Sequence, residues 1–97
     1  MSWSVYVRSE AERDLLAARD WYDGRRSGLG DEFLDEVTLT LLELERNPEL
    51  PRLYFQKFRR VHLRRFPYKL FYQVHGERVI VFRVLHGHQS HERGLPG

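Results

Sequence analysis

The sequence predicts an α+β domain in which an N-terminal strand and a helical hairpin pack on a C-terminal antiparallel sheet, in the order β-α-α-β-β-β. Three observations carry that prediction. Apolar residues between Ser9 and Asn47 recur with the period of a helix. From Arg59 to His86 they alternate with polar residues, as a strand requires. A glycine-rich break divides the helical part in two, and Asn47-Pro48 closes it. With 97 residues, 41% hydrophobic and 31% charged, the chain has the size and composition of one folded domain spanning residues 1–97.

Trp3-Ser4-Val5-Tyr6-Val7-Arg8 alternates large with small or polar side chains and is rich in β-branched residues, so it predicts a short first strand. Ser9 stands three residues before Glu12, the pattern of a capping box. In such a box the hydroxyl satisfies one orphan N–H of the first turn and the carboxylate reaches back to another. A helix is expected from there, with Ala11, Leu15, Ala18 and Tyr22 on its buried stripe and Leu16 and Trp21 widening it. Glu10, Glu12 and Asp14 fall in its first turn, where the helix dipole favours negative charge. Trp21-Tyr22 reads as core first, with an aromatic contact for a partner as the alternative. Asp23 to Gly30 holds three glycines and no apolar period, so it ends the first helix in a tight turn. A second helix follows from about Asp31, with Phe33, Leu34, Val37, Leu41 and Leu44 on one face. Pro48 stops it, because proline bars the residue before it from helical geometry.

The strands follow. Arg59 to Arg65, Tyr68 to Val74 and Val79 to His86 alternate, with a bend at Phe66-Pro67 and a compact hairpin connection at His75-Gly76-Glu77. Alternation sends Val61, Leu63, Leu70, Tyr72, Val74, Ile80, Phe82 and Val84 towards the helices. It sends Arg60, His62, Arg64, Lys69, Phe71, Gln73, Val81, Arg83 and Leu85 to the outer face. Large apolar side chains are seldom left exposed without use. The expected partner-binding surface is therefore Arg60, His62, Arg64, Lys69, Phe71, Arg83 and Leu85. Cover by the C-terminal tail, or by the flank of the first strand, is the alternative. A one-residue slip in either of the last two strands would exchange their faces. The stretch from Gly87 to Gly97 has no period and is expected to run over the surface or to be mobile.

Charge is divided along the chain. Residues 1–50 carry six arginines against twelve acidic residues, whereas residues 51–97 carry ten lysines and arginines against two glutamates, so the halves stand at −6 and +8. All five histidines lie in the second half. An anionic partner for that half is one reading; mutual neutralisation of the halves across the fold is the other. The chain has no cysteine, no secretory pattern at its start and no apolar run long enough to span a bilayer, so a cytoplasmic protein without a membrane partner is expected.

Metal-free RNA cleavage needs a base, an acid and a cation for the phosphate. His62 or His86 could supply the first two, and Lys69, Arg64 and Arg83 the last, with Lys69, Arg83 and His86 as the candidate catalytic set. His86-Gly87-His88 and His91 match no metal-ligand spacing, and no phosphate loop or nucleophile elbow is present, so no metal and no cofactor are expected.

Several stretches together resemble the RelE/ParE toxin superfamily. They are Ala11 to Tyr22 with its Trp21-Tyr22 pair, Gly28-Leu29-Gly30-Asp31-Glu32-Phe33-Leu34-Asp35-Glu36-Val37, Asn47-Pro48, Arg64-Arg65-Phe66-Pro67-Tyr68-Lys69-Leu70-Phe71-Tyr72 and Val84-Leu85-His86-Gly87. They lie in the family order and cover Val5 to His88; the long helical hairpin and the Arg64–Tyr72 block are most similar to the ParE branch. The resemblance implies the growth-inhibiting toxin of a bacterial type II toxin–antitoxin pair, associated with plasmid stabilization. It also implies a cognate antitoxin with an acidic, apolar C-terminal segment, which wraps the toxin. ParE-like members inhibit DNA gyrase without being enzymes. RelE-like members cut mRNA on the ribosome, and a degenerate toxin would keep only antitoxin binding. Lys69 falls where the nuclease branch has an arginine, and no tyrosine follows the last strand. Where the ParE branch often has His-Gly-Arg-Arg, this chain has His86-Gly87-His88-Gln89.

Overall fold

In the computed structural model, which describes residues 3–87 and Leu95, the chain runs β1 (Ser4–Val7), α1 (Ser9–Arg25), α2 (Leu29–Arg46), β2 (Leu53–Phe55), β3 (Phe58–His62), β4 (Tyr68–His75) and β5 (Arg78–His86). The strands form one sheet in the order β1-β5-β4-β3-β2. Neighbours pair antiparallel except β1, which lies parallel to β5. The helical hairpin covers one face of this sheet, which is the predicted α+β arrangement with one short strand added ahead of β3.

The first helix begins without the expected capping box. Its N-cap is Arg8 and makes no side-chain cap bond, while the Ser9 hydroxyl turns to the Glu10 carboxylate. The cause lies in the sheet: Arg8 N–H donates to Val81 C=O at 3.0 Å, which carries the β1 pairing up to the helix, and Glu12 N–H closes the first turn on Arg8 C=O. The break between the helices is tighter than the glycine content alone required. Gly28 sits at φ 88°, a left-handed geometry that glycine adopts without strain. Gly30 already belongs to α2, and its N–H donates to the Asp23 carboxylate at 2.7 Å. A β-carbon on Gly30 would meet the Arg19 carbonyl oxygen at 2.5 Å, so the absence of a side chain there sets how closely the helices approach.

The main core lies between the hairpin and the sheet. Ala11, Ala18 and Tyr22 from α1 and Phe33, Val37 and Leu44 from α2 meet Leu63, Phe66, Leu70, Tyr72, Val79, Val81 and Val84. Tyr22 is the core member of its pair; Trp21 is 56% exposed, with the Arg25 guanidinium 4.9 Å from its ring centre. Tyr72 is fully buried, and its hydroxyl donates to Pro48 C=O at 2.7 Å, fastening the end of α2 to mid-sheet.

Strand β5 departs from simple alternation. Phe71 pairs with Arg83 and Tyr72 with Val81, leaving Phe82 as one residue more than β4 can match. On one side of this bulge Val79 and Val81 face the helices; on the other Val84 does. The expected inward positions of Ile80 and Phe82 and the outward position of Val81 are therefore corrected, whereas Val84 and Leu85 lie where alternation put them.

Two outcomes follow for stability. Gly30→Ala forces the two helices apart and is expected to destabilise the fold by about 1–3 kcal/mol; denaturant unfolding should show a lower midpoint at unchanged slope. Burial pushes the Tyr72 hydroxyl up to about 12 from an ordinary value of 10.0. Because its folded-state pKa is raised, its contribution is fully present below pH 10 and is lost as pH rises from 10 towards 12. Tyr72→Phe should cost about 1–2 kcal/mol near neutrality and flatten the loss of stability across that alkaline window, read by unfolding curves at several pH values.

Candidate functional site

The outer sheet face is not bare. Phe71 and Leu85, expected there as exposed apolar contacts, are buried in a second small core with Phe58 and Leu95, flanked by Tyr54, Phe55 and Phe82. Leu95, 6% exposed, shares this cluster, which agrees at that residue with the alternative of cover by the C-terminal tail. His88 and His91 lie outside the described residues. Arg60 stands opposite Phe71, and Lys69 stands opposite Leu85 on one side and His62 on the other, so the cations ring the apolar patch. The Arg60 guanidinium lies 3.8 Å from the Tyr54 ring centre and that of Arg8 lies 4.5 Å from the Phe82 ring centre, both cation–π contacts.

Arg83 does not display its charge on this face. Its Nε donates to Asp14 Oδ2 at 2.7 Å and its terminal amine to Oδ1 at 3.0 Å, a bidentate pair with the side chains 28% and 16% exposed. Asp14 Oδ2 also accepts the Val84 N–H at 2.9 Å. β1 pairs only as far as Val81, so Asp14 continues the closure of this sheet edge from the helix side. The hydrogen bond to Asp14 raises the Arg83 pKa further. His86 packs edge-on against Tyr68, 5.2 Å between ring centres, and Tyr68 belongs to the helix-side core. Burial, and then the negative charge of Asp14, push the Tyr68 hydroxyl above its ordinary pKa. Lys69, Arg83 and His86 are thus held in three different settings: beside the outer apolar patch, on Asp14 and on Tyr68.

A second surface opens between α2 and β3. Leu39, Thr40, Leu44, Leu50, Pro51 and Val61 line a groove of about 550 Å³, and its mouth carries Arg46, His62, Arg64 and Arg65 with Glu36 and Glu43. Leu39 and Leu50 are 61% and 76% exposed, and both line this one groove. Glu36 accepts the backbone N–H groups of both Arg64 and Arg65, so its charge is spent holding the β3–β4 connection to α2. Arg65 pairs with Glu32 at 2.8 Å, and that hydrogen bond, followed by the charge of Arg26, holds the Glu32 carboxyl below its usual range. Among the described residues Arg46, Arg64 and Glu43 make no ion pair, so the groove mouth carries charges of both signs, three arginines against two glutamates. β2 pairs no further than Arg59, so β3 forms the sheet edge beside this groove.

Sequence reasoning singled out Arg60, His62, Arg64 and Lys69 for the outer face and did not single out Asp14, Glu36, Leu39 and Leu50, which these two surfaces use. For Asp14 a signal existed: it falls between Ala11 and Ala18 on the buried stripe, where a carboxylate requires a partner. Among the described residues no three His, Asp or Glu side chains gather as metal ligands would, and no helix is long and apolar enough to cross a membrane.

Comparison with known proteins accords with this fold. Sequence comparison with curated proteins gives no match. Among solved structures, the chromosomal ParDE system of P. aeruginosa contains a chain of TM-score 0.77 at 17% identity, with 88% of this chain and 96% of that one covered. A chain of the RelBE2 toxin–antitoxin complex of Mycobacterium tuberculosis gives TM-score 0.66 at 22% identity, with 89% and 99% covered. A copper-bound mutant toxin from Helicobacter pylori gives 0.53 at 21%, with 87% and 93% covered. The model of the ParE toxin of the type II toxin–antitoxin system parDE matches residues 5–91. The match runs from β1 to past the end of β5, and the chain belongs to the ParE toxin family.

Proposed function

We propose that this chain is a growth-inhibiting cytoplasmic toxin, that a cognate antitoxin neutralises it, and that in its free form it inhibits DNA gyrase. Family membership supports the toxin role. The choice of gyrase over the ribosome draws on one observation above all: the cation a nuclease would present, Arg83, is locked to Asp14 away from Lys69. With no converging base, acid and phosphate-binding cation among the described residues, inhibition by binding is the simpler chemistry.

The groove between α2 and β3 suits the antitoxin. An apolar floor takes the hydrophobic face of a helix, and Arg46 and Arg64 at its mouth favour acidic residues beside that face. The β3 edge alongside offers a place for an extended segment to continue the sheet. Arg60, His62 and Lys69 would meet the same partner where it passes to the outer face, as an acidic, apolar segment would require.

Purified chain at stoichiometric excess should block gyrase supercoiling or accumulate cleaved DNA, measured on plasmid substrate. Unaffected gyrase, together with new 3′ ends in the A-site codon of translating ribosomes by primer extension, would instead identify a nuclease built on Lys69, Arg83 and His86. For the antitoxin, Leu39→Glu with Leu50→Glu should weaken binding about tenfold or more. Both side chains are exposed, so the thermal midpoint should barely move. Unchanged affinity in calorimetric titration would remove the groove from the interface.

A further inference from the structure

We propose that two copies of this chain associate through the solvent face of α2, packed antiparallel so that the leucines and the flanking charges of one copy meet those of the other.

Four residues of the helix define that face. Asp35, Leu39, Leu42 and Arg46 follow one another at steps of four, three and four. At the pitch of an α-helix this spacing keeps them within an arc of about 60° along roughly 16 Å of helix. All four are exposed, the leucines at 61% and 50%. Phe33, Val37 and Leu44, which α2 turns to the core, lie on the opposite side and are buried. The helix therefore has two apolar stripes, of which the fold uses one. Alternating steps of four and three are also the spacing of a seam along which two helices interlock their side chains.

Charge identifies the occupant. In an antiparallel pair with its two-fold axis between Leu39 and Leu42, Leu39 of each copy stands level with Leu42 of the other. Asp35 stands four residues before Leu39, and Arg46 four after Leu42, so the same pairing sets Asp35 of each copy level with Arg46 of the other. Glu43 comes level with Thr38, so it meets no like charge. Among the described residues neither Asp35 nor Arg46 makes an ion pair within the chain. A wholly acidic partner would gain at Arg46 and lose at Asp35, whereas a second copy gains at both ends. The contact is self-complementary and closes on itself as a dimer. With two leucines from each copy at its centre, it falls at the small, transient end of protein interfaces. Leu39 and Arg46 also line the groove between α2 and β3, whereas Leu42 lies outside that lining. A chain paired through α2 thus withholds two residues from a partner in the groove. That consequence alone rests on the reading above; the dimer does not depend on it.

Sedimentation equilibrium of the full chain should show a mass rising from 11.7 kDa towards twice that value over roughly 0.01–1 mM, the range of a small interface. Leu42→Glu changes a half-exposed side chain and should abolish the rise. Leu42→Lys carries the same expectation and serves where the glutamate variant does not fold. Asp35→Arg or Arg46→Asp should each weaken association about tenfold, because the two-fold axis turns both ion pairs into like-charge contacts at once. Asp35→Arg combined with Arg46→Asp should bring affinity back to within about threefold of the parent; a loss that was merely structural would not be regained. The chain has no cysteine, so the register can be read by cross-linking. When Leu39→Cys is mixed with isotope-labelled Leu42→Cys and oxidised, the mixed disulfide should exceed its statistical half share in mass spectrometry. A chain that stays monomeric throughout, leaving the stripe to a different partner, overturns the proposal. So does a dimer indifferent to Leu42→Glu and to the charge reversals, or one in which each cysteine variant cross-links to itself in preference. None of these readouts involves gyrase or an antitoxin, so the two readings fail separately.

Discussion

One extra residue in β5 governs how this sheet is used. Phe82 has no partner on β4, and the bulge it creates changes which side chains face which way within a single strand. Before it, valines at 79 and 81 fill the helix-side core; after it, Val84 resumes that role and Leu85 turns outward. Phe82 itself lies on the outer side against Phe58, ring centres 5.0 Å apart, where Arg8 caps it. Were β5 to pair through this stretch without a bulge, alternation from Val81 would turn Arg83 and Leu85 to the helix side and Val84 outward. Leu85 would then leave its cluster with Phe58 and Phe71.

Asp14 is the other half of that arrangement. Among the described residues three hydrogen bonds reach its carboxylate, two from Arg83 and one from the Val84 backbone. They tie α1 to the stretch of β5 that β1 no longer pairs. An unpaired sheet edge invites another strand, and this edge is closed by Arg8 N–H and by Asp14. The opposite side of the sheet is treated differently. β2 is short, its pairing stops at Arg59, and the neighbouring groove keeps two leucines largely in water. One side of the sheet is closed by hydrogen bonds, and the other keeps a short edge strand beside an apolar groove.

The order of elements and both helical stripes were legible because their periods are long and uninterrupted. Ala11, Ala18, Tyr22, Phe33, Val37 and Leu44 all lie where spacing placed them. The local start of α1 was not legible, since Ser9 and Glu12 make a capping box in sequence while the actual cap is fixed by a strand far along the chain. The bulge was invisible for a related reason: a run such as Val79-Ile80-Val81-Phe82 is apolar throughout and gives no phase, so only the pairing with β4 decides it. Burial of Phe71 and Leu85 depended on a leucine in a tail that shows no period at all. Asp14 could have been recognised, because a carboxylate within a buried stripe must be paired, but its partner could not have been named.

The charge split along the sequence resolves into two populations of cations. Some of the acidic half is spent on the basic half: Asp14 on Arg83, Glu32 on Arg65 and Glu36 on the backbone N–H groups of Arg64 and Arg65. Mutual neutralisation is therefore real, and it is concentrated where the hairpin meets the sheet. It does not extend to Arg60 and Lys69 beside the outer apolar cluster or to Arg46 and Arg64 at the groove, which make no ion pair among the described residues. Their charges cost little while solvated. At the groove Arg46 and Arg64 border leucines that are still exposed, so the acidic, apolar partner proposed above would gain Coulomb attraction and apolar burial in one contact there. At the outer cluster Phe71 and Leu85 are already buried, and only the charges of Arg60 and Lys69 remain to be met.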